Sequence, residues 1–542
     1  MPTPPQEVEP HRGRDRAVCR VLLAVLALAC LLRAPVAAMP LERDEGEYAY
    51  IAWRWLEGEL PYATAFDQKP PGVFAAYAGI LASLGRTPSA SHWGAQIWTL
   101  GTLALVLALG RRMGGLATGA AAATLLTLLT TEPTLLGNAA NTEMFMLLPL
   151  LGALIAALRA RERDSLAAAG AAGILSGAAI LFKQPALWNA LYAGALVLGG
   201  ASLAQGLRRG LVFAGALAAT LLAPAAGYVA AGAFAAFWDC VVGHNLAYAE
   251  SVPLAQYPQT FWATFSPTLR PLGLVHALAA LGVSAAFARG DTPFRRSARL
   301  LAGFGLASGL GVATGGYFRQ HYYLQAAPAL ALLAALGLSR LLPPAGARRG
   351  IATTIALGVI LGVALSAAPR YWLPGVPEAK ARRLYGENPF PEAPLVADWI
   401  AGHTAPEDTV FVFGSEPEIY FLARRRAASR YIYLYPLMTS LPDTLSRQRA
   451  TLAELAERRP AVVVTVTAPT SFLRRPETPA ELFLGLRERL LREYRLAALV
   501  PAVSPSRLKA VSEQEALRLW ARDPGLGQPE VWGSLAVWER RP

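Results

Sequence analysis

Residues 41–50 read Leu-Glu-Arg-Asp-Glu-Gly-Glu-Tyr-Ala-Tyr and follow directly on a long apolar run at 17–38. Asp44, Glu45 and Glu47 therefore stand where a segment of hydrocarbon length gives way to polar chain. Asp44 and Glu47 have capping-box spacing. Tyr48, Ala52, Trp55 and Leu56 then recur at helical intervals up to Gly58. The spacing predicts an amphipathic helix lying in a membrane interface, with Asp44 as its cap. Capping accounts for Asp44 and Glu47, but not for three acidic side chains gathered at a membrane surface. Nor does it account for a second polar island, Asp67-Gln68-Lys69-Pro70-Pro71-Gly72, ahead of another short apolar helix.

Outward from this stretch, the chain has little water-facing material. Of its 542 residues 54% are hydrophobic and only 16% charged, against about 25% charged in soluble domains. A spanning helix needs about 20 apolar residues. Candidate spans fall at 17–38, 92–110, 116–131, 144–159, 165–182, 188–205, 210–231, 270–288, 298–315, 322–340 and 350–368. The Ala-rich stretches 116–131 and 165–182 are the weakest of these. The net charge is +13, and in the first two-thirds of the chain the basic residues fall mostly in short clusters between apolar runs, a topological pattern that does not point to nucleic acid. Every second loop is basic: Arg12, Arg14, Arg16 and Arg20; Arg111 and Arg112; Arg159, Arg161 and Arg163; Arg208 and Arg209; Arg289, Arg295, Arg296 and Arg299; Arg340, Arg348 and Arg349. By the positive-inside rule these regions and the N-terminus are cytoplasmic, and an odd number of spans leaves the tail, 369–542, outside. Val36-Ala37-Ala38 resembles a signal-peptidase site, but the run before it is long, and it reads as a retained first span.

The organisation expected is a transmembrane domain, 1–368, followed by an extracytoplasmic α/β domain, 369–542. Strands are predicted at Thr409–Phe413, Tyr431–Tyr435, Ala461–Thr467 and Leu496–Val500, with helices at 393–401, 444–458 and 480–493. Cys19, Cys30 and Cys240 offer no disulfide framework, so the tail depends on packing alone. Outside loops are expected at 39–91 and 232–269, with short polar links at 132–143, 183–185 and 316–321.

The order RDEGEYAY (43–50), FDQKPPG (66–72), NAANTEMFMLLP (138–149), FKQPALW (182–188) and FRQHYYLQAAP (318–328) resembles the GT-C membrane glycosyltransferases. It is most similar to the dolichyl-phosphate-mannose protein mannosyltransferase and aminoarabinose transferase group, in its bacterial family 39-like branch. The tail segment GSEPEIYFLARRRAASRYIYLYPL (414–437) also looks like that branch. The resemblance implies a GT-C helical fold and transfer of a sugar from a polyprenyl-phosphate donor, with inversion, outside the cytoplasmic membrane. It also implies an acidic residue of the first loop as catalytic base, which falls on Asp44, with Glu45 and Glu47 orienting it or touching the sugar. The acceptor would be an envelope lipid, glycan or protein.

A sugar on a polyprenyl phosphate already has a good leaving group, so the chemistry needs one base and fixed positive charge at the phosphate. Lysine stands only at 69, 183, 380 and 509 in a chain that otherwise uses arginine. Lys69 and Lys183 each lie in a short outside segment beside Gln and Pro, with Asp67, Gln68 and Gln184 as neighbours. A compact ammonium suits a phosphate met as a point charge; snorkelling toward headgroups is the plainer explanation of each lysine alone. Asn141 fits an N-cap with Glu143 in the first turn, and the resemblance adds Glu143 as a second acidic site residue. His244 and Asn245 lie in the loop 232–269, with Tyr248 and Glu250 beyond. The resemblance leaves a divalent cation open, with Glu143 and His244 as candidate ligands, although the His-x-x-x-His spacing is absent. Arg319, His321 and Tyr322 open a span, where ionisable groups usually face a cavity; an interfacial aromatic belt is the alternative for the tyrosines.

Walker, Rossmann, zincin and nucleophile-elbow motifs are absent, which argues against nucleotide-sugar chemistry. The rival readings are a transporter or flippase of lipid-linked sugar and a non-catalytic envelope assembly protein. A transporter is expected to carry repeats and midplane polar breaks, whereas here the polar motifs collect at one membrane face.

Overall fold

The computed structural model describes residues 9–200, 202–249, 252–344, 346–501, 507–523 and 528–542. Each predicted span carries a helix: Glu9–Arg33, Pro88–Gly114, Leu116–Leu129, Thr142–Arg163, Leu166–Phe182, Leu187–Leu198, Leu203–Ala230, Leu269–Phe287, Pro293–Ala313, Ala327–Leu341 and Ala347–Ala367. Among the described residues, seven segments are long and apolar enough to cross a membrane by length and composition. Leu187–Leu198 corrects the predicted 188–205: its 12 residues reach about 18 Å, well short of a bilayer core of about 30 Å. It stops at Gly199-Gly200, where the Arg209 side chain reaches back to the carbonyls of Val197 (3.1 Å) and Gly199 (2.7 Å). A basic side chain thus satisfies carbonyls that the helix end would leave bare.

The Ala-rich helices pack closely against their neighbours. Leu116–Leu129 is buried along most of its length, and in Leu166–Phe182 a Cβ on Gly173 would stand 2.3 Å from the Phe213 carbonyl oxygen. Small residues let these backbones approach closely, which supplies packing where lipid gives no hydrophobic drive. Both helices stand outside the seven because they are short, 14 and 17 residues, and not for want of apolar side chains.

The basic loops meet at one end of the bundle. Arg112 pairs with Glu162, Arg209 with Asp164, and Arg299 with Asp291. At the other end the first loop, the 138–143 link, the Lys183 link and residues 314–325 converge. The 232–269 region, expected as a loop, is instead broken helix: Phe234–Trp238, a π-turn at Asp239–Gly243, His244–Ala249, and Tyr257–Phe265. Glu250 lies outside the described residues.

The tail holds a mixed six-stranded sheet of β1 (Thr409–Phe413), β2 (Arg426–Ala427), β3 (Val462–Val466), β4 (Tyr494–Val500), β5 (Lys509–Ala510) and β6 (Leu535–Arg540), in the order β2-β1-β3-β6-β4-β5. β2, β1 and β3 run parallel, and β6 lies antiparallel between β3 and β4. Helices at Ala393–His403, Thr444–Arg458 and Glu481–Glu493 match the predicted ones. Tyr431–Tyr435 is not a strand. Its backbone turns, and the Leu434 N–H donates to Ser415 Oγ (3.0 Å) instead of entering a ladder. The alternating tyrosines face Phe66 and the first loop rather than a sheet face, with Phe66–Tyr431 ring centroids 5.4 Å apart.

This loop and the tail share one apolar core. The helix Arg43–Leu56 is capped by Glu42, whose N–H donates to Glu45 Oε2 (3.1 Å); this corrects Asp44 and Glu47 as the capping pair. Gly58, at φ 92°, follows the helix end as predicted. The outer face of the helix does not meet solvent, because the short helix Glu418–Ala423 covers it. A Cβ on Gly46 would stand 2.6 Å from the Glu418 nitrogen, and Tyr50 Oη accepts from the Ala427 N–H at 2.9 Å. Arg43 donates to the Ser415 carbonyl (2.5 Å), to Glu416 (3.3 Å) and to Asn388 (3.1 Å). The tail therefore grips the first loop by its backbone and by the residue next to Asp44.

Candidate active site

Where the first loop, the ends of the bundle helices and the tail meet, they enclose a cavity of about 790 Å³. Asp44 and Glu47 reach it from successive turns of Arg43–Leu56, while Glu45 points the other way. Glu45 Oε1 accepts from the Ala140 N–H (2.7 Å) and stands 2.9 Å from His92 Nε2. Glu45 thus ties the helix to the 138–143 link, and does not touch the cavity.

Lys69 enters from FDQKPPG. Its Nζ lies 3.3 Å from Glu47, 3.6 Å from Asp44 and 3.8 Å from Asp67, and 5.2 Å from the Tyr48 ring centre. Asp67 is fully buried beneath it and accepts the Lys69 N–H at 2.9 Å. On the far side Lys183 forms an ion pair with Glu143 and sits 3.4 Å from the Tyr322 ring centre. His321 Nε2 is 3.9 Å from Asp44 Oδ2. Two lysine–carboxylate groups thus flank one space, and Asp44 bridges Lys69 to His321. The two lysine segments come together because Gly72 lacks a side chain: a Cβ there would stand 2.5 Å from the Leu181 carbonyl oxygen. The Gln68 carbonyl completes the join by accepting from Gln184 Nε2 (3.2 Å) and Asn245 Nδ2 (2.7 Å).

Burial pushes the Asp44 carboxyl up, yet the charges of Lys69, Lys183 and Arg43 outweigh it and hold the group below the usual carboxylate range. Burial alone would discharge Lys69, but Asp44, Asp67 and Glu47 keep its ammonium well above the ordinary lysine value. Glu47 and Asp67 are raised, first by burial. Neighbouring carboxyl groups are thereby split, Asp44 lowered and Glu47 and Asp67 raised, a pattern found where acid and base roles diverge. His244 lines the cavity, packs edge-on against Phe66 at 5.1 Å, and is pushed down to about 4 by burial and by Arg447.

Asn141 is the N-cap residue of Thr142–Arg163, but its buried side chain does not line the cavity and makes no hydrogen bond to the described residues. Arg319 and Tyr322 do line it. The two candidate metal ligands do not make a donor set: Glu143 is engaged by Lys183 and by the Thr142 hydroxyl (2.9 Å). Among the described residues no group of three His, Cys, Asp or Glu side chains is arranged to hold a metal ion. Glu143 and His244 thus do not fit a divalent cation.

Sequence reasoning missed the tail's share of the cavity. Arg43 lies 5.0 Å from the Tyr435 ring centre and 5.4 Å from that of Phe390; Tyr433, Asn388 and Arg475 also line the wall. Tyr433 and Tyr435 sit in the segment 414–437 that carries the resemblance, but their alternation reads as a strand.

No family model and no curated protein matches the sequence. Solved structures do match. The chain is similar to ArnT from Cupriavidus metallidurans bound to undecaprenyl phosphate, with a TM-score of 0.54 and 16% identity over 85% of this chain and 94% of that one. The apo state of the same protein matches at 0.55 and 16%, over 91% and 96%. The oligosaccharyltransferase AglB from Archaeoglobus fulgidus, in complex with an inhibitory peptide and a dolichol-phosphate, matches at 0.55 and 12%, over 97% and 88%. Likeness that spans nearly the whole chain at such low identity is likeness of fold, and this protein shares its fold with ArnT and AglB.

Proposed function

We propose that the protein is an inverting glycosyltransferase that moves a sugar from a polyprenyl-phosphate donor to an envelope acceptor at the outer face of the cytoplasmic membrane. The observation that carries this reading is Asp44, held ionised between Lys69 and His321 in a cavity with Lys183 and Arg319 on its walls. The donor classes named for two structures of the same fold, undecaprenyl phosphate and dolichol-phosphate, support it.

In this mechanism the lysines and Arg319 meet the donor phosphate. The bond between the sugar's anomeric carbon and the phosphate oxygen breaks, and its electron pair leaves with the polyprenyl phosphate. Asp44 takes the proton of the acceptor hydroxyl as that oxygen attacks the opposite face of the anomeric carbon. Lys69 lowers the basicity of Asp44; a phosphate that draws Lys69 toward itself raises it when a proton must be taken. Glu143 holds Lys183 in place, and Glu47 and Asp67 hold Lys69. Asp44, Glu47, Gln68, Lys69, Lys183, Gln184, His244, Arg319, His321 and Tyr322 form the proposed substrate site, with Glu45, Asp67, Asn141 and Glu143 behind it.

Purified protein in vesicles is expected to consume a polyprenyl-phosphate sugar and release polyprenyl phosphate in equal amount. Movement of the intact lipid-linked sugar across the bilayer without cleavage would support a flippase instead. The membrane orientation has its own test. Reporters fused after Arg112, Arg209 and Arg349 are expected to read cytoplasmic, and those after Glu59, Glu250 and Asp398 external. An external signal at Arg209 would overturn the assignment of every later loop.

A further inference from the structure

The end of the bundle opposite the proposed active site holds a second cavity, of about 480 Å³, lined by Arg295, Arg340 and Arg349 together with Thr292, Ser339 and Phe294. Its wall has no carboxylate. Some arginines of the basic loops are neutralised: Arg112 by Glu162, Arg209 by Asp164, Arg296 and Arg299 by Asp291. Among the described residues, Arg295, Arg340 and Arg349 have no ion pair; Arg340 only donates to the Leu281 carbonyl (2.9 Å) and Ser284 Oγ (2.8 Å). Topology requires basic residues in these loops, but it does not require three uncompensated guanidinium groups around one hollow.

Two helix N-termini add to the field. Thr292 caps Pro293–Ala313, and Arg349 lies in the first turn of Ala347–Ala367, whose preceding Gly346 gives no side-chain cap. Both helices direct the positive ends of their dipoles toward this region. We infer that this cavity binds the phosphate headgroup of an anionic phospholipid from the cytoplasmic leaflet. Guanidinium groups match a phosphodiester with paired N–H donors, and basic pockets between spanning helices are the usual form of such sites. The hollow admits a headgroup but not the acyl chains. Phe287, Leu341 and Ile351, each within two residues of a lining residue, are exposed apolar side chains along which those chains can lie. That flank favours a lipid over a free anion.

The test uses the full chain purified in detergent. Phosphatidylglycerol is expected to raise Tm above the value in phosphatidylcholine, and native mass spectrometry is expected to find phosphatidylglycerol retained on the wild type. The double variant Arg295→Gln/Arg349→Gln should lose both effects. The control Arg296→Gln/Arg348→Gln removes equal charge from the same loops but spares the cavity, and should keep them. Equal losses in the two double variants would reduce the effect to general charge and overturn the site. Inorganic phosphate reproducing the Tm rise would identify a free anion as occupant and overturn the lipid. Should the double variant fail to fold, Arg295→Gln and Arg349→Gln are read singly: loss of the preference for phosphatidylglycerol over phosphatidylcholine supports the site, and its retention in both refutes it.

Discussion

Asp44→Asn is expected to lower turnover by about 10²–10⁴-fold, the usual worth of a positioned general base, while the protein folds and still binds donor. The cap of the helix is Glu42, with Glu45 three residues on, so Asp44 is not needed to start Arg43–Leu56. The amide retains the shape and loses only the charge between Lys69 and His321. A transfer assay with lipid-linked donor, run beside thermal unfolding of each purified variant, separates the outcomes. Normal turnover would pass the base to Glu47, the other acidic side chain of that helix within reach of Lys69. Loss of folding would make Asp44 structural.

Lys69→Met is expected to damage stability as well as donor use. The sequence alone suggests that Lys69 waits for a phosphate; in the structure it also compensates three carboxylates, with its side chain only 13% exposed. Removing one partner of a buried ion pair costs about 3–5 kcal/mol, and losing a charge-assisted contact to the donor about 1.5–3 kcal/mol. The stability loss should depend on pH in a defined direction. Glu47 and Asp67 have raised pKa values even beside Lys69, and without it they hold protons more firmly still. The deficit therefore shrinks at acid pH, where they are neutral, and grows as pH rises and forces them to ionise. Thermal unfolding of the variant and wild type, followed as the pH is lowered from neutral, checks this. A constant deficit would show that Lys69 acts through packing. Lys183→Met should behave more simply, leaving Glu143 without its cation and weakening donor use.

Spans and strands with a strong periodic signal were legible because burial alone sets them. Each of the long apolar runs became a helix, and Thr409–Phe413, Val462–Val466 and Tyr494–Val500 became strands. Leu187–Leu198 was misjudged in length because a glycine pair breaks it inside an apolar stretch. Tyr431–Tyr435 has strand periodicity, but its alternate side chains pack on Phe66 from another part of the chain, which no local pattern encodes. β6 went unread because Leu535–Arg540 ends in the charged pair Glu539-Arg540 and follows a stretch rich in Pro and Gly.

The same division holds in the site. That Asp44, Lys69, Lys183 and His321 face a cavity was legible because an ionisable group beside a span is costly unless it does. Glu45 was indistinguishable from Asp44 by type and location; only the helix phase, fixed by the true cap at Glu42, turns it toward His92. Arg43, Tyr435 and Arg475 enter the cavity through the fold of the tail onto the first loop, a contact across more than 350 residues in the case of Arg43 and Ser415. Such pairings have no local signature.

The stereochemistry of a single transfer tests the central claim most directly. The reconstituted protein is given a polyprenyl-phosphate sugar of known anomeric configuration with a membrane extract as acceptor, and the new glycosidic linkage is assigned by NMR. With Asp44 as base on the acceptor and no enzyme nucleophile, the product carries the opposite configuration to the donor. A product of retained configuration, or donor consumed with no new linkage, would contradict the mechanism.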